Sequence, residues 1–375
     1  MLPTLNDAAA DLWSQIFANI AAHPGAAIMD PEHDVAADEK VMRAGFAAAG
    51  WSEQESEAIA EANRVAETAA PTTSPGASRA VEARHALLCD AVEAEMARRG
   101  MSSQVQVARG IEPRVRPYAC KTGVIMTDQS IIAVGSFTYR FCGLIAKAFV
   151  RTLMLNPFIW DSESFSVLHA KGILRSNPRV LLYWVQIYLG FSVTGTNATV
   201  PFRPSTKKEI ILVEQVARAM EIFMVAHEYG HHHFGHGRDI NANPHDEEYE
   251  ADRFALRIGR PLGEAEVFPN PYLASGAGGI ILLKSLMTLR KSETVFGGRV
   301  SDEDTHPAVD QRISKFDNVA LLEPVIYPVL KGFRTASCRL MDLVDEMVVS
   351  FFQQLPSDEY SALTRMRADL IAQVP

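Results

Sequence analysis

Two histidines, His227 and His231, lie four positions apart, and this spacing constrains the chain more than any other feature of its sequence. In an α-helix, residues four apart project from the same face about one turn from each other. Two imidazoles placed in this way can bind one zinc ion together, because histidine nitrogen is a preferred zinc ligand. The spacing therefore predicts a helix that carries two metal ligands.

The residues around the two histidines favour such a helix. The segment Lys207–Phe234 contains no proline, and apolar residues recur before His227 at helical spacing. The apolar positions are Ile210, Val213, Val216, Ala217, Met220, Phe223 and Met224. Glu228 follows His227 and is one residue out of register with both rings, which suits proton transfer with a water at the metal better than binding the metal. We expect Glu228 to be the general base.

A third ligand is expected on the next helix. Asn243 and Pro244 form a typical helix start, an N-cap residue followed by a proline at the first helical position. The helix is predicted to end at Gly259. Its apolar stripe consists of Ala251, Phe254, Ala255 and Ile258, and Glu248 and Asp252 lie on the same side.

These two acids are expected to face inward together. Burying unpartnered carboxylates would cost several kcal/mol, so a metal ion and a ligand histidine are natural partners for them. Glu250 is expected in solvent, and Glu247 is the reserve ligand.

The order of these elements resembles that of the gluzincin zinc metallopeptidases, in the branch of the CAAX prenyl endopeptidases and the heat-shock peptidase HtpX. The resemblance rests on the HExxH motif of residues 227–231, on Glu248 with Ala251-Asp252, and on Thr305-His306-Pro307 followed by Gln311-Arg312-Ile313. It covers roughly residues 205–315.

The resemblance implies a zinc metalloendopeptidase that hydrolyses protein or peptide substrates through a metal-bound water. His227, His231 and Glu248 would bind Zn²⁺, Glu228 would act as general base, and Asp252 would orient a ligand histidine. His306 and Arg312 would lie near the substrate or the oxyanion, and Tyr249 is a further side chain to test there. The alternative is a zinc-stabilised regulatory or binding module that acts on one partner protein with little general proteolysis. Hydrolysis of a non-peptide amide would use the same residues.

The predicted fold is α+β and predominantly helical. It has a zincin-like core with a small sheet, an active-site helix, a glutamate helix, and helical additions at both ends. The expected regions are a helical N-terminal part (1–110) with a loop at 71–78, a metallopeptidase domain (111–330) and a C-terminal helical segment (331–375). Helices are predicted at 78–99, 131–153, 338–352 and 357–372, a strand at 123–126, and an edge strand or hairpin at 191–200. The resemblance to gluzincins implies that such an edge holds an extended peptide, and the alternative is a surface hairpin with no substrate role.

The composition limits the class of protein, its partners and the compartment that we expect. The chain has 375 residues, 47% of them hydrophobic, which is ample for a buried core. Its net charge of −9 disfavours a role based on non-specific nucleic-acid binding, so no nucleic-acid partner is expected. No segment is long and apolar enough to span a bilayer. Four scattered cysteines and the absence of a signal-peptide pattern at the start lead us to expect a soluble cytoplasmic protein.

Three other features have simpler interpretations. His232, His233, His236 and His245 could form a second metal site, but a helix end rich in histidine is more often just polar. Cys120 could occupy the zinc and hold the enzyme latent, although a buried structural cysteine is far commoner. The basic cluster Arg109, Arg114, Arg116 and Lys121 is more typical of a solvated loop than of a binding patch.

Overall fold

The computed structural model describes most of the chain. The described residues are 8–21, 35–70, 74, 77–101, 107–112, 117, 119–124, 127–194, 206–239, 241–266, 269–297, 306–316 and 327–373. The helices among them are α1 (Ala8–Ala21), α2 (Val35–Ala48), α3 (Glu53–Ala69), α4 (Arg79–Arg98), α5 (Thr138–Leu155), α6 (Val167–Arg175), α7 (Pro178–Leu189), α8 (Lys207–Phe234), α9 (Pro244–Ala265), α10 (Pro271–Ala274), α11 (Ala277–Val295), α12 (Val309–Ser314), α13 (Tyr327–Gln353) and α14 (Ser357–Gln373). The strands are β1 (Val107–Glu112), β2 (Ala119–Gly123) and β3 (Ser130–Gly135). The prediction of a predominantly helical α+β fold with a small sheet is confirmed.

The three strands form a mixed sheet in the order β1-β3-β2. β1 runs parallel to β3, with Gly110 opposite Ala133, and β2 runs antiparallel to it, with Lys121 opposite Ile132. Ile132 and Val134 point into the main core, whereas Ile131 and Ala133 pack with Trp13 of α1 on the other face. Among the described strands, β2 is thus an edge strand of a sheet that is covered on both faces.

Close packing of α1 on the sheet depends on Gly110. A Cβ atom at Gly110 would lie 2.1 Å from the indole ring of Trp13, so a larger residue there would displace the ring. Trp13 is 4% exposed and anchors the N-terminal helix. The strand β1 crosses the expected boundary at residue 110, and the division into three regions stays a prediction.

The helix α8 lies at the centre of the main core. It packs against α4, α5, α9 and α11. Gly278 of α11 faces Ala219 of α8, where an added Cβ would come within 2.5 Å of the Ala219 backbone carbon. The two helices therefore approach closely only because this position lacks a side chain. Further along α11, Lys284 binds Asp310 of α12 and Asp342 of α13.

Several predicted elements agree with the structure. The predicted bounds of α8 match the observed ones, α4 begins one residue after Ser78, and α13 and α14 include the predicted C-terminal helices. Asn243 caps α9 as expected, since its side chain accepts a hydrogen bond from the amide of His245.

Four predictions were wrong in whole or in part. The apolar stretch 131–153 begins as strand β3 and becomes α5 only at Thr138, because short apolar runs fit a buried strand as well as a helix. The strand predicted at 123–126 lies earlier, at Ala119–Gly123, and residues 125–126 are outside the described residues. Residues 191–194 belong to a π-helical segment, Gly190–Thr194, that continues α7, and 195–200 are outside the described residues. The glutamate helix α9 does not stop at Gly259 but continues through Pro261 to Ala265.

The continuation of α9 has a packing cause. A Cβ atom at Gly259 would lie 3.0 Å from Cδ1 of Leu273, so the glycine allows α9 to meet the segment that contains α10. Gly263 approaches the same segment more closely, since its Cβ would lie 2.6 Å from the amide nitrogen of Ala274. These glycines therefore mark helix contacts and not a helix end.

Candidate metal centre

The rings of His227 and His231 converge on one point, as the helical spacing predicts. Their Nε2 atoms are 3.0 Å apart, and the His231 ring meets the His227 ring edge-on. Thr206 caps the start of α8, and Gly235 ends it in the left-handed conformation. The run from Val216 to Ala226, about three helical turns, is largely buried against the neighbouring helices, so the two imidazoles are held on a rigid element.

Glu248 of α9 completes the cluster. One of its oxygens lies 3.5 Å from Nε2 of His227, and the other lies 3.3 Å from Nε2 of His231. Glu248 and Asp252 are both buried, whereas the Glu250 side chain is 52% exposed. The inward orientation predicted for Glu248 and Asp252 thus agrees with the structure.

The three side chains fit a zinc ion. Ligand atoms arranged tetrahedrally at about 2.0–2.1 Å from zinc lie about 3.3 Å from one another. The two Nε2 atoms are 3.0 Å apart here, one oxygen of Glu248 lies 3.3 Å from His231, and its other oxygen lies 3.5 Å from His227. The ligand atoms of His227, His231 and Glu248 all lie within 4.8 Å of one another. The donor set, two imidazoles and one carboxylate, is also one that zinc takes in catalytic sites. The cluster can therefore hold a metal ion.

The electrostatics of the cluster favour positive charge. Burial opposes protonation of His227, but the carboxylates of Glu248 and Asp252 outweigh it and raise the pKa of His227 to about 10. Burial likewise opposes ionisation of Glu248, yet the charge of His227, the close contacts with both histidines and the charge of Arg312 hold its pKa well below the ordinary range. A divalent cation would satisfy the same carboxylates.

Asp252 connects His227 to Arg312. Its Oδ1 lies 3.0 Å from Nδ1 of His227, within contact but outside ideal hydrogen-bond alignment. Arg312 donates two hydrogen bonds to the same carboxylate, of 2.8 and 2.6 Å, and its third nitrogen lies 3.0 Å from Glu248. Burial opposes ionisation of Asp252, and the charge of Arg312 holds its pKa below the ordinary value. Arg312 is thus packed among the acids of the cluster, with its side chain 8% exposed.

Glu228 lies where two cavities meet. Both cavities are bordered by Ala119, His227, Glu228, Glu248 and His306. Burial raises the pKa of Glu228, while the charge of His227 opposes this effect. The His306 ring is more exposed, at 40%, and its Nε2 lies 3.5 Å from Glu248. Glu228 and His306 therefore face accessible space beside the histidines.

The two cavities differ in chemistry. One, of about 730 Å³, runs along β2 and is bordered by Lys121, Arg238 and Glu247. The other, of about 380 Å³, is bordered by an aliphatic wall on α11 and by part of α8. The aliphatic wall consists of Leu282, Leu283 and Leu286, α8 contributes Phe223 and Met224, and Arg290 and Glu293 border the same cavity. The cluster thus sits between a polar and a largely apolar space.

Other residues singled out from the sequence lie around the cluster in different roles. The Tyr249 hydroxyl is 3.5 Å from Gln311, and the residue borders neither cavity. Glu247 accepts a hydrogen bond from the amide of Gly237. Cys120 packs with the Trp13 cluster and borders the polar cavity, and latency through its thiol stays a prediction. Arg109 pairs with Asp90 and Glu93.

The basic cluster is therefore divided. Lys121 lies in the polar cavity and donates to the backbone carbonyl of His236, while Arg109 is engaged with acids of α4. Arg114 and Arg116 are outside the described residues. The four residues do not form one described patch.

Sequence reasoning did not foresee how two residues meet the cluster, although His236 was named in a possible second metal site. His236 contacts His231 although it is five positions away, which no helical register would predict. Gly230 lies where α9 crosses α8, and a Cβ atom there would come within 3.0 Å of Cα of Ala251. The sequence did carry a signal for each, a glycine on both sides of His236 and a glycine inside the HExxH motif.

Residues 197–323 match the protein family Peptidase U49. The matched segment is about a third of the chain and contains the whole cluster, from His227 to Arg312. This match indicates a peptidase, and hence a protein or peptide substrate. No curated protein and no solved structure matches the chain significantly. Among the described residues, no helix is both long and apolar enough to cross a membrane.

Proposed function

We propose that the protein is a zinc metalloendopeptidase of the gluzincin type. His227, His231 and Glu248 would hold the ion, and Glu228 would be the general base. One observation carries the proposal, namely that the ligand atoms of two histidines and a glutamate converge within 4.8 Å beside the buried Glu228, within a segment that matches a peptidase family. A zinc ion bound here would polarise the scissile carbonyl and acidify water at the site.

Glu228 has the position and the basicity that proton transfer needs. It is adjacent to His227 in the chain, yet it is not among the three clustered ligand residues. Burial raises the pKa of Glu228 toward neutral pH. A carboxylate with such a pKa can take a proton from water and return it to the leaving amine. A purely structural zinc site would have no use for a buried carboxylate of this kind.

His306 and Arg312 take different roles in this proposal. His306 is partly exposed and borders both cavities, so we assign it to donate to the oxyanion. Arg312 is buried and binds both Asp252 and Glu248. We assign Arg312 to hold these two carboxylates in place, and Asp252 to orient His227.

The substrate is proposed to lie along β2 as an extended peptide. β2 is an edge strand, and six consecutive residues from Ala119 to Val124 border the polar cavity beside Glu228. An edge strand can bind a peptide through backbone hydrogen bonds, with pockets selecting alternate side chains. The aliphatic wall on α11 would accept an apolar side chain on one side of the scissile bond. The polar cavity would accept a polar or acidic residue on the other side.

The experiment combines metal analysis with cleavage. Purified full-length protein is expected to hold close to one zinc per chain and to cleave members of a random peptide library. Glu228→Gln should keep zinc and thermal stability but lose cleavage, because the side chain handles a proton and not the metal.

Each other outcome has a distinct meaning. A protein without zinc would contradict the metal site. A zinc protein that cleaves no peptide would instead support the regulatory or binding module. Loss of zinc in Glu228→Gln would contradict the separation of base from ligands.

A further inference from the structure

The chain turns back sharply at the end of α8. Gly235 and Gly237 both have left-handed backbone angles, φ +70° and +73°, and the residue between them is His236. The amide of His236 donates to the carbonyl of His231 at 3.0 Å, which is the long hydrogen bond of a Schellman helix end. Lys121 of β2 donates to the His236 carbonyl at 2.7 Å and holds the turn from the other side. The turn brings the His236 ring over His231.

A chain of polar contacts runs outward from the metal ligand. Nδ1 of His231 lies 2.9 Å from Nδ1 of His236. Nε2 of His236 lies 3.1 Å from a carboxylate oxygen of Glu250 on α9. The His236 ring is 7% exposed, and Phe234 stacks on it. The ring is thus clamped between the ligand histidine and an acid.

The metal at one end of these contacts and the carboxylate at the other determine which nitrogen of each ring carries a proton. If Nε2 of His231 binds a metal, it carries no proton, so the neutral ring is protonated at Nδ1. Nδ1 of His236 must then accept that hydrogen bond, which leaves the proton of His236 on Nε2. This proton points to Glu250, a carboxylate that can only accept. Every contact has one donor and one acceptor in this single arrangement.

We infer that His236 and Glu250 are positioning residues that hold His231 in its metal-binding tautomer and orientation. The inference rests on the metal site of the proposed function. Each ligand histidine then has its own partner at the ring nitrogen that does not face the metal. The partner of His227 is Asp252, and the partner of His231 is His236, which is itself bound to Glu250. Such partners of a ligand histidine typically affect metal affinity by ~10–100-fold.

The first test measures zinc affinity of the full chain by competition with a chelator. His236→Leu removes the acceptor and should weaken zinc binding by ~10–100-fold. His236→Asn keeps an amide oxygen that can take the place of Nδ1, and it should recover part of that loss. The rescue separates a hydrogen-bonding role from a role in packing alone, since leucine and asparagine both leave the turn glycines in place.

The second test uses the acid. Glu250→Ala should weaken zinc binding, by less than His236→Leu because Glu250 is half exposed. Glu264→Ala is the matched control, since Glu264 is also an ion-paired acid on α9 but binds Arg260. The control should bind zinc like the unchanged protein. Glu250 lies at the surface, so its removal is compatible with folding even if His236→Leu fails to fold.

Two results would overturn the inference. One is a His236→Leu protein that binds zinc as tightly as the unchanged chain. The other is equal weakening by leucine and asparagine at position 236 together with no effect of Glu250→Ala. Either result would leave the proposed function intact, provided that the unchanged chain binds zinc and Glu228→Gln abolishes cleavage. An unchanged chain that binds no zinc would overturn both.

Discussion

Arg312 binds both carboxylate oxygens of Asp252, although the two residues are 60 positions apart in the chain. The pair is buried, and Arg312 also contacts Glu248 at 3.0 Å. A guanidinium has the planar shape for this two-point contact, whereas an ammonium does not. The contact therefore ties the short helix α12 to the glutamate helix α9 and fixes two acids of the candidate metal centre.

Arg312→Lys should reduce both stability and zinc affinity. The lysine keeps a charge but loses the paired hydrogen bonds, so Asp252 and Glu248 would be incompletely compensated in a buried position. We expect the free energy of unfolding to fall by about 2–4 kcal/mol, somewhat less than for loss of a whole buried partner. Urea unfolding and zinc competition measure the two effects.

Arg64→Lys provides the control for Arg312. Arg64 also binds two glutamates, Glu57 and Glu61, but all three side chains are exposed. Exposed pairs contribute ~0–1 kcal/mol, so this variant should change stability little. Equal effects of the two substitutions would show that burial of the Arg312 cluster has no special consequence.

His306→Ala should slow catalysis without removing zinc. If His306 donates to the oxyanion, its loss should lower kcat by roughly 10²-fold or more, with little change in KM. Thermal stability should hardly change, because 40% of the side chain is exposed. Steady-state kinetics on a peptide found in the library, together with zinc content, tests this.

His169→Ala is the comparison for His306, since His169 is an exposed histidine on α6, away from the cluster. It should leave kcat unchanged. Normal kcat in His306→Ala would remove His306 from the catalytic residues. A large drop in melting temperature would instead indicate that the side chain anchors its segment to the core.

Leu286→Glu should change which peptides are cleaved. Leu286 is part of the aliphatic wall of the smaller cavity, beside Glu228. A carboxylate there would disfavour an apolar side chain, and one hydrophobic pocket typically discriminates by 10–200-fold. The ratio of kcat/KM for peptides that differ only by leucine and lysine at the selected position should shift at least tenfold.

The control places the same change on a distant surface. Leu168 of α6 is 81% exposed and borders neither cavity, so Leu168→Glu should leave the ranking of peptides unchanged. An unchanged ranking in Leu286→Glu would exclude the aliphatic wall from substrate selection.

The local parts of this structure could be predicted from the sequence. The bounds of α8 follow from helical periodicity, the absence of proline and the glycine at its end. The inward faces of Glu248 and Asp252 follow from the position of the apolar stripe on α9. These features depend on residues within a few turns of one another.

Non-local features could not be predicted in the same way. Ile131 to Val134 are part of a longer apolar run that fits a helix as well as a strand. Only the pairing of β3 with β1 and β2 distinguishes the two. The contact between His236 and His231 requires the left-handed turn at Gly235, which takes the chain out of helical register. The role of Gly259 depends on Leu273 of another helix, so a helix stop was the natural local interpretation.

His85 should make stability fall as the pH decreases below about 6.5. Burial, with the charge of Arg109 adding to it, lowers the pKa of His85 to about 3, and the ring bonds the Tyr139 hydroxyl at 2.7 Å. An unfolded histidine has a pKa of about 6.5, so the unfolded chain binds more protons between these two values. The contribution of neutral His85 is fully present above about pH 6.5 and is lost as the pH falls.

The measurement compares the unchanged chain with His85→Gln in urea at several pH values. Below about pH 6, the unchanged chain should lose stability relative to His85→Gln by up to about 1.4 kcal/mol for each pH unit. Other titrating groups are common to both proteins and cancel. A pH-independent difference for His85→Gln would contradict the prediction.

Gly230→Ala should weaken zinc binding by disturbing the crossing of α8 and α9. The added Cβ would lie 3.0 Å from Cα of Ala251 and 3.1 Å from Cβ of Phe254. Both distances are shorter than ordinary contacts, so α9 would have to move by a few tenths of an ångström. Glu248 is three residues before Ala251 on the same helix and would move away from the histidines. We expect zinc affinity to fall roughly tenfold, at the lower end of the effect of losing a partner of a ligand.

Stability and zinc affinity should change in different ways in this variant. Alanine favours a helix over glycine by about 1 kcal/mol, which offsets part of the strain at the crossing. Gly172→Ala in α6 isolates the helix-forming effect, because no atom lies within 4 Å of its added Cβ. That variant should be more stable by about 0.5–1 kcal/mol with zinc affinity unchanged. If Gly230→Ala also keeps full zinc affinity, then α9 can shift without moving Glu248, and the close crossing does not position the third ligand.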